Sequence, residues 1–212
     1  MAILYGYEVY PDQKITTKLS MAVSLQDDYT EKPPIGSVEV FLIGQEVKSV
    51  KNPSGYYLFL DLPGSEYQVR VETEYYFKKR TTVKLTELDP LNPVVRFKLK
   101  PKPSYPFSPG TTLIRGMVHG IDGKAVPGAN VEIRGKNINN ITTEKGEFVL
   151  YFKGLTEEDI IKEGNKRFVK GNGRKKVRLI ATHEAKTGAK DLKEVREGET
   201  TVLVEPIVLK KK

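Results

Sequence analysis

The sequence predicts an all-β fold: two tandem antiparallel β-sandwich modules, with a short helix in an insertion of the second. Three observations carry that prediction. Apolar residues recur with period two, turn signals separate the alternating runs, and the two halves of the chain align with each other.

The alternation is clearest at Leu19, Met21, Val23 and Leu25, which are interleaved with Lys18, Ser20, Ala22 and Ser24. Tyr67, Val69 and Val71 alternate with Gln68, Arg70 and Glu72, and Val95, Phe97 and Leu99 with Arg96, Lys98 and Lys100. Ile114, Gly116 and Val118, Val131 and Ile133, Val177, Leu179 and Ala181, and Val202 and Val204 continue the pattern downstream. Successive side chains of a strand point to opposite faces, so each run predicts a strand with one buried face. Pro53-Ser54-Gly55, Pro63-Gly64, Asp122-Gly123, Pro127-Gly128 and Asn172-Gly173 supply turns between them.

The internal match joins Pro34–Val40 to Pro127–Ile133 and Ser54–Phe59 to Lys145–Leu150. It continues with Gln68–Val71 against Lys176–Leu179 and Thr81–Val83 against Thr200–Val202. The growing offset predicts two insertions in the second copy, near 154–175 and 183–199, leaving from opposite ends of the sandwich. In the first, Thr156 is placed to cap a short helix, Glu157–Asp159 to occupy its positive end and Gly164 to stop it. Residues 101–109 contain four prolines, at 101, 103, 106 and 109, and predict a semi-rigid linker. The expected division is a first sandwich with an N-terminal arm over 1–100, the linker over 101–109, a second sandwich over 110–209 and a lysine tail over 210–212.

Of the net charge of +8, residues 1–100 contribute nothing, with 13 Lys/Arg against 13 Asp/Glu; residues 101–212 hold 22 against 14. Any preference for polyanions therefore belongs to the second half. The chain has no cysteine, so disulfides, zinc–thiolate sites and thiol nucleophiles are excluded. No apolar run is long enough to span a membrane. The start lacks a basic segment followed by an apolar core, which points to a cytoplasmic chain or to a component of a larger surface or virus-like assembly.

The stretch Gly116-Met-Val-His-Gly-Ile-Asp-Gly-Lys-Ala-Val-Pro-Gly-Ala-Asn-Val-Glu-Ile133, followed by Thr142-Thr-Glu-Lys-Gly-Glu-Phe148, resembles the carboxypeptidase regulatory-like family, whose fold is similar to transthyretin (prealbumin). Glu144 stands where that pattern has Asp. The first half keeps Pro34, Gly36, Val38, Val40, Gly55 and Tyr57 but lacks the opening Gly-x-Val. The resemblance implies an accessory, stabilising or contact-making module and supplies no catalytic residues to carry over.

The residues agree in pointing away from catalysis. No nucleophile elbow, phosphate loop or dinucleotide fingerprint occurs, and neither an enzyme, a cofactor nor a metal is expected. His119 and His183 read as turn and strand-end residues, and Asp27-Asp28 as a turn. The resemblance extends to bacterial surface repeats and through them implies a Lys–Asn isopeptide bond, for which Lys18 and Asn92 are the nominal pair, but alternation puts Lys18 on the polar face.

Three sets of binding residues remain. Lys166, Arg167, Lys170, Arg174, Lys175, Lys176 and Arg178, with Phe168 as a stacking aromatic, form a candidate loop for nucleic acid or acidic polysaccharide. Tyr56, Tyr57, Tyr75 and Tyr76 are candidates for an aromatic surface that contacts sugar or protein. Ile3, Tyr5, Tyr7 and Val9 form a candidate β-rich arm for pairing with another subunit. The expected function is a non-catalytic scaffold or adaptor working through protein contacts or self-association, with polyanion and carbohydrate binding as the alternatives.

Overall fold

A computed structural model describes residues 17–171 and 175–211. The first half supplies β1 (Leu19–Asp27), β2 (Val38–Leu42), β3 (Val50–Lys51), β4 (Tyr57–Leu60), β5 (Glu66–Thr73), β6 (Lys79–Lys84) and β7 (Val94–Leu99). They form two sheets, one in the order β3-β4-β1-β7 and one in the order β2-β5-β6. The second half supplies β8 (Leu113–Gly120), β9 (Asn130–Ile133), β10 (Asn139–Ile141), β11 (Glu147–Tyr151), β12 (Ile160–Glu163) and β13 (Lys166–Val169). β14 (Val177–His183), β15 (Lys186–Leu192), β16 (Thr200–Val202) and β17 (Ile207–Lys211) complete it. One path runs β10-β9-β14-β15-β17-β8-β11, with β16 paired to β8 and a separate β12-β13 hairpin. Helical structure among the described residues is limited to two 3-10 turns, Leu85–Glu87 and Glu157–Asp159. The protein is an all-β sandwich.

The repeat is visible in topology. β4-β1-β7 and β2-β5-β6 have the same strand order as β11-β8-β17 and β9-β14-β15. One segment of the sequence match does not survive. Thr81–Val83 lies on β6, whose counterpart is β15, whereas Thr200–Val202 is β16 and runs parallel to β8. A three-residue Thr-Thr-Val identity carries too little information to fix a register.

By contacts the chain divides into two units that do not follow the sequence halves. Unit 1 holds the described residues up to Ser24 together with Val40–Arg70 and Arg80–Phe97. Its buried side chains, among them Met21, Val23, Val40, Tyr57, Phe59, Val69 and Phe97, occupy the inward positions that period two assigns. β1 pairs antiparallel with β4, Val23 facing Tyr57 and Met21 facing Phe59, with a register shift between Leu19 and Met21.

Unit 2 holds Leu25–Glu39, Val71–Lys79 and Lys98–Lys212. Its core packs Ile114 and Val118 of β8, Val131 and Ile133 of β9, and Phe148 and Leu150 of β11. Leu179 and Ala181 of β14 and Ile207 and Leu209 of β17 join the same cluster. The turn before β11 depends on Gly146, with φ +74; a Cβ there would lie 2.7 Å from the Val118 carbonyl oxygen, which accepts from the Val126 N–H at 3.0 Å.

The segment expected to be a linker is packed inside unit 2. Tyr105 is buried, Phe107 is half-buried, and the Arg115 guanidinium donates to the Pro103 carbonyl oxygen at 2.6 Å while lying over the Phe107 ring. Prolines deny the segment ladder donors, but its aromatic residues have apolar surface to bury, and that burial decides its course.

Candidate functional site

The outer face of β8 and β11 organises most of the polar features of unit 2. Alternation turns Ile114 and Val118 inward, so Leu113, Arg115, Met117 and His119 share the opposite face, joined across the ladder by Glu147, Val149 and Tyr151. One half of this face is covered. Leu113, Val149 and Tyr151 are buried under Tyr29 and Phe107. Tyr29, Tyr76, Tyr105, Phe107 and Tyr151 stack through a chain of tilted and edge-on ring contacts, with centroids 4.7 to 6.0 Å apart.

Asp27 lies at the centre of this cluster and is fully buried. It continues the inward positions of β1, and a carboxylate arriving there needs donors. The backbone N–H groups of Tyr29 and Thr30 donate to Oδ1 at 2.7 and 3.3 Å. The Tyr105 and Tyr76 hydroxyls donate to Oδ2 at 2.6 and 2.9 Å. Burial, reinforced by Asp27, pushes the Tyr76 phenol up to about 12, against the opposing effect of the Ile35 N–H that it accepts; Tyr105 is raised by the same causes. The expectation that Asp27 is a turn residue is thereby corrected: Asp28 starts the turn and Asp27 anchors it from the core. The Tyr151 hydroxyl donates to Asp28 Oδ2 at 2.6 Å, and burial followed by Asp28 raises its pKa.

The other half of the face is open. Met117, Val202 and Val208 are 38, 63 and 39% exposed, and Val204, in the bend between β16 and β17, is 99% exposed. Register places Val202 beside Arg115 and Val208 beside His119, before and after Met117 along β8, so the exposed side chains of β16 and β17 follow one edge of that strand rather than scatter.

The basic segment differs from its sequence reading in three respects. Phe168 is 2% exposed, so it is a core residue and cannot stack on a base. Gly164, with φ +57, turns the β12–β13 hairpin instead of ending a helix; the helical part is the single turn Glu157–Asp159, closed by Asp159 accepting from the Thr156 N–H at 3.3 Å. Most of the cations have carboxylate partners.

Arg167 pairs with Glu197 and with Glu157 at 3.0 Å, Lys175 with Glu163 at 2.6 Å and Glu194 at 3.4 Å, and Lys176 and Arg178 with Asp191 at 2.9 and 3.7 Å. Hydrogen bonds to these carboxylates raise Arg167 and Lys175 above their ordinary values. Lys166 and Lys170 are exposed, and Arg174 lies outside the described residues.

The two insertions also meet, contrary to the expectation of opposite ends. β15 returns antiparallel along β14, so residues 194–197 arrive beside β13, where Val169 N–H donates to the Val195 carbonyl at 2.8 Å.

Of the tyrosine candidates, Tyr57 and Tyr76 are buried, while Tyr56 and Tyr75 are half-buried. The buried pair cannot contribute to an aromatic surface: Tyr57 falls on the inward face of β4, and Tyr76 is held by Asp27. Glu74 raises the Tyr75 phenol. The arm candidates Ile3, Tyr5, Tyr7 and Val9 lie outside the described residues. Lys18 is exposed, as its polar-face position predicts. Among the described residues no three His, Asp or Glu side chains gather as metal ligands, and no helix is long and apolar enough to cross a membrane.

No family model matches the chain, and no curated protein matches it. Among solved structures it is similar to the Bacillus anthracis TIE protein, at 14% identity and TM-score 0.30 over 89% of this chain and 33% of that one. A streptococcal ancillary pilin aligns at 10% identity and TM-score 0.30, over 92% of this chain and 62% of the pilin. The shaft pilin SpaA of Lactobacillus rhamnosus GG aligns at 9% identity and TM-score 0.28, over 93% and 98%. The chain thus spans a third of the first of these and less than two thirds of the second. The fold class rests on the chain's own strands.

Proposed function

We propose that this chain is a non-catalytic structural module, of the carboxypeptidase regulatory-like kind, that works as a scaffold by self-association. The observation that carries the reading is the open half of the β8 face. Met117, Val202 and Val208 leave apolar surface in water on the same sheet face whose other half is covered by aromatic side chains, and Val204 is exposed in the bend between β16 and β17. Clustered outward apolar residues on a sheet are a recurrent mark of protein contact, and homotypic contact of one face is the commonest form of assembly. Burial of Phe168 and the carboxylate pairing of its neighbours weigh against nucleic acid as the partner of the basic segment.

Light scattering over a concentration series tests the reading. The wild-type chain is expected to self-associate at high micromolar concentration, and Val204→Asp with Met117→Glu to remain monomeric with unchanged circular dichroism. A wild-type chain that stays monomeric throughout overturns it.

A further inference from the structure

We propose that unit 2 carries an oxyanion site, in which Lys98 and Lys100 hold a phosphate or sulfate group in a cavity beside Asn139. The cavity has a volume of about 360 Å3, and its lining includes Asp28, Lys98, Lys100, Asn139, Tyr151 and Lys153. Three ammonium groups thus face one carboxylate.

That carboxylate is already engaged. Asp28 Oδ2 accepts from the Tyr151 hydroxyl at 2.6 Å and forms an ion pair with Lys153 at 3.5 Å, while the same ammonium donates to the Asp28 backbone carbonyl at 2.6 Å. Lys98 and Lys100 are left without a carboxylate within ion-pair distance among the described residues. The acceptors of Lys100 are neutral, the backbone oxygen of Asn139 at 3.2 Å and its side-chain Oδ1.

The contrast with the hairpin is informative. Lys136, Arg167 and Lys175 of the same unit, all partly buried at the side chain, each face a carboxylate. Lys100 is half-buried with none, and burial holds its amine below the usual lysine range, with Lys79 and Lys153 adding to the effect and Asp28 opposing it. An ammonium in that setting gains from an incoming negative charge, and the gain is larger where water is partly excluded.

The strand geometry aims the pair. Phe97 and Leu99 face the core, so Lys98 and Lys100 leave the chain on the opposite side, two residues apart. Sulfate and phosphate oxygens accept hydrogen bonds, which suits the two ammonium groups, while the Asn139 oxygens that accept from Lys100 hold its ammonium at the cavity wall. The volume exceeds that of a bare tetrahedral oxyanion several times over, and Ile138 adds an apolar wall, so the group can be carried on a sugar as an ester.

Amide chemical shifts of the full chain, followed during titration with inorganic phosphate, inorganic sulfate and glucosamine 6-sulfate against sodium chloride of equal ionic strength, test the proposal. Saturable shifts are expected at residues 98–100 and 137–139. Loss of one charge-assisted hydrogen bond corresponds to roughly ten- to a hundredfold weaker binding, expected for both Lys98→Met and Lys100→Met. Lys170→Met, in the hairpin, is expected to bind as wild type.

Tighter binding of the ester identifies a sulfated sugar as the source, and equal binding identifies the free ion; either supports the site. Absence of saturable shifts with all three probes overturns the proposal, as does equal weakening by Lys170→Met. Lys98 is exposed, so its variant tests the site even if Lys100→Met fails to fold. The assembly reading rests on Met117, Val202 and Val208, none of which lines this cavity, so failure here is distinct from failure of that reading.

Discussion

At the scale of single residues, the Asp27 carboxylate and its tyrosines are the most exacting feature. Each hydroxyl donates to a buried charge, and removing such a donor costs about 1.5–3 kcal/mol. Tyr105→Phe is therefore expected to lower unfolding free energy by roughly that amount in urea titrations, and an unchanged midpoint would show that Asp27 does not depend on it. The tyrosines also set an alkaline limit. Tyr76 titrates near 12 in the fold and near 10 in the unfolded chain, so the folded state holds its proton longer. Its contribution is complete below about pH 10 and is lost as pH rises through about 12, because the unfolded state is then the one that releases the proton. Melting temperature measured from pH 8 to 12 should fall more steeply for wild type than for Tyr76→Phe. None of this was legible from Asp27-Asp28, which has the local composition of a turn.

At the scale of elements, legibility was high where local pattern decides and low where pairing does. Period two located β1, β5, β8 and β14 because alternation is a property of neighbouring residues. Thr156–Asp159 was read as a cap and forms one, but the turns beyond it do not extend the helix. Ile160 and Ile161 pair with Val169 and Phe168 as a hairpin, and burial of Phe168 outweighs a capped start three residues long. Gly146 shows the reverse case, a glycine whose role follows from a pattern. Gly146→Ala is expected to destabilise by roughly 1–3 kcal/mol, since the substitution meets both a positive φ and the Val118 oxygen. Thermal unfolding would reveal it, and an alanine variant as stable as wild type would mean that the corner relaxes freely.

At the scale of the whole molecule, the consequential result is that unit 2 takes residues 25–39 and 71–79 from the first half and the proline-rich segment from the middle. A fragment beginning at residue 110 would leave Leu113, Val149 and Tyr151 without Tyr29 and Phe107. Such a fragment is expected to melt well below the intact chain and to bind a hydrophobic dye, whereas equal melting would show that the covering residues are dispensable. Chymotrypsin should likewise spare the Phe107–Ser108 bond in the native chain and cut there in Asp27→Ala, where the Tyr105 and Tyr76 hydroxyls lose their acceptor and the rings packed around Phe107 loosen. Limited digestion followed by mass spectrometry distinguishes these outcomes.

What the sequence determined by itself is the fold class, the repeat and the position of most strands, because alternation and turn chemistry act over a few residues. Tertiary structure alone decided which polar groups are buried and whom they face. Asp27 beside Tyr105, Lys100 beside Asn139 and Arg167 beside Glu197 are separated by 78, 39 and 30 positions, and no local pattern distinguishes them from residues left in water. The all-β sandwich class was readable in sequence, and the division of the chain between two contact units was not, because that division depends on which apolar surfaces find each other after the strands have formed.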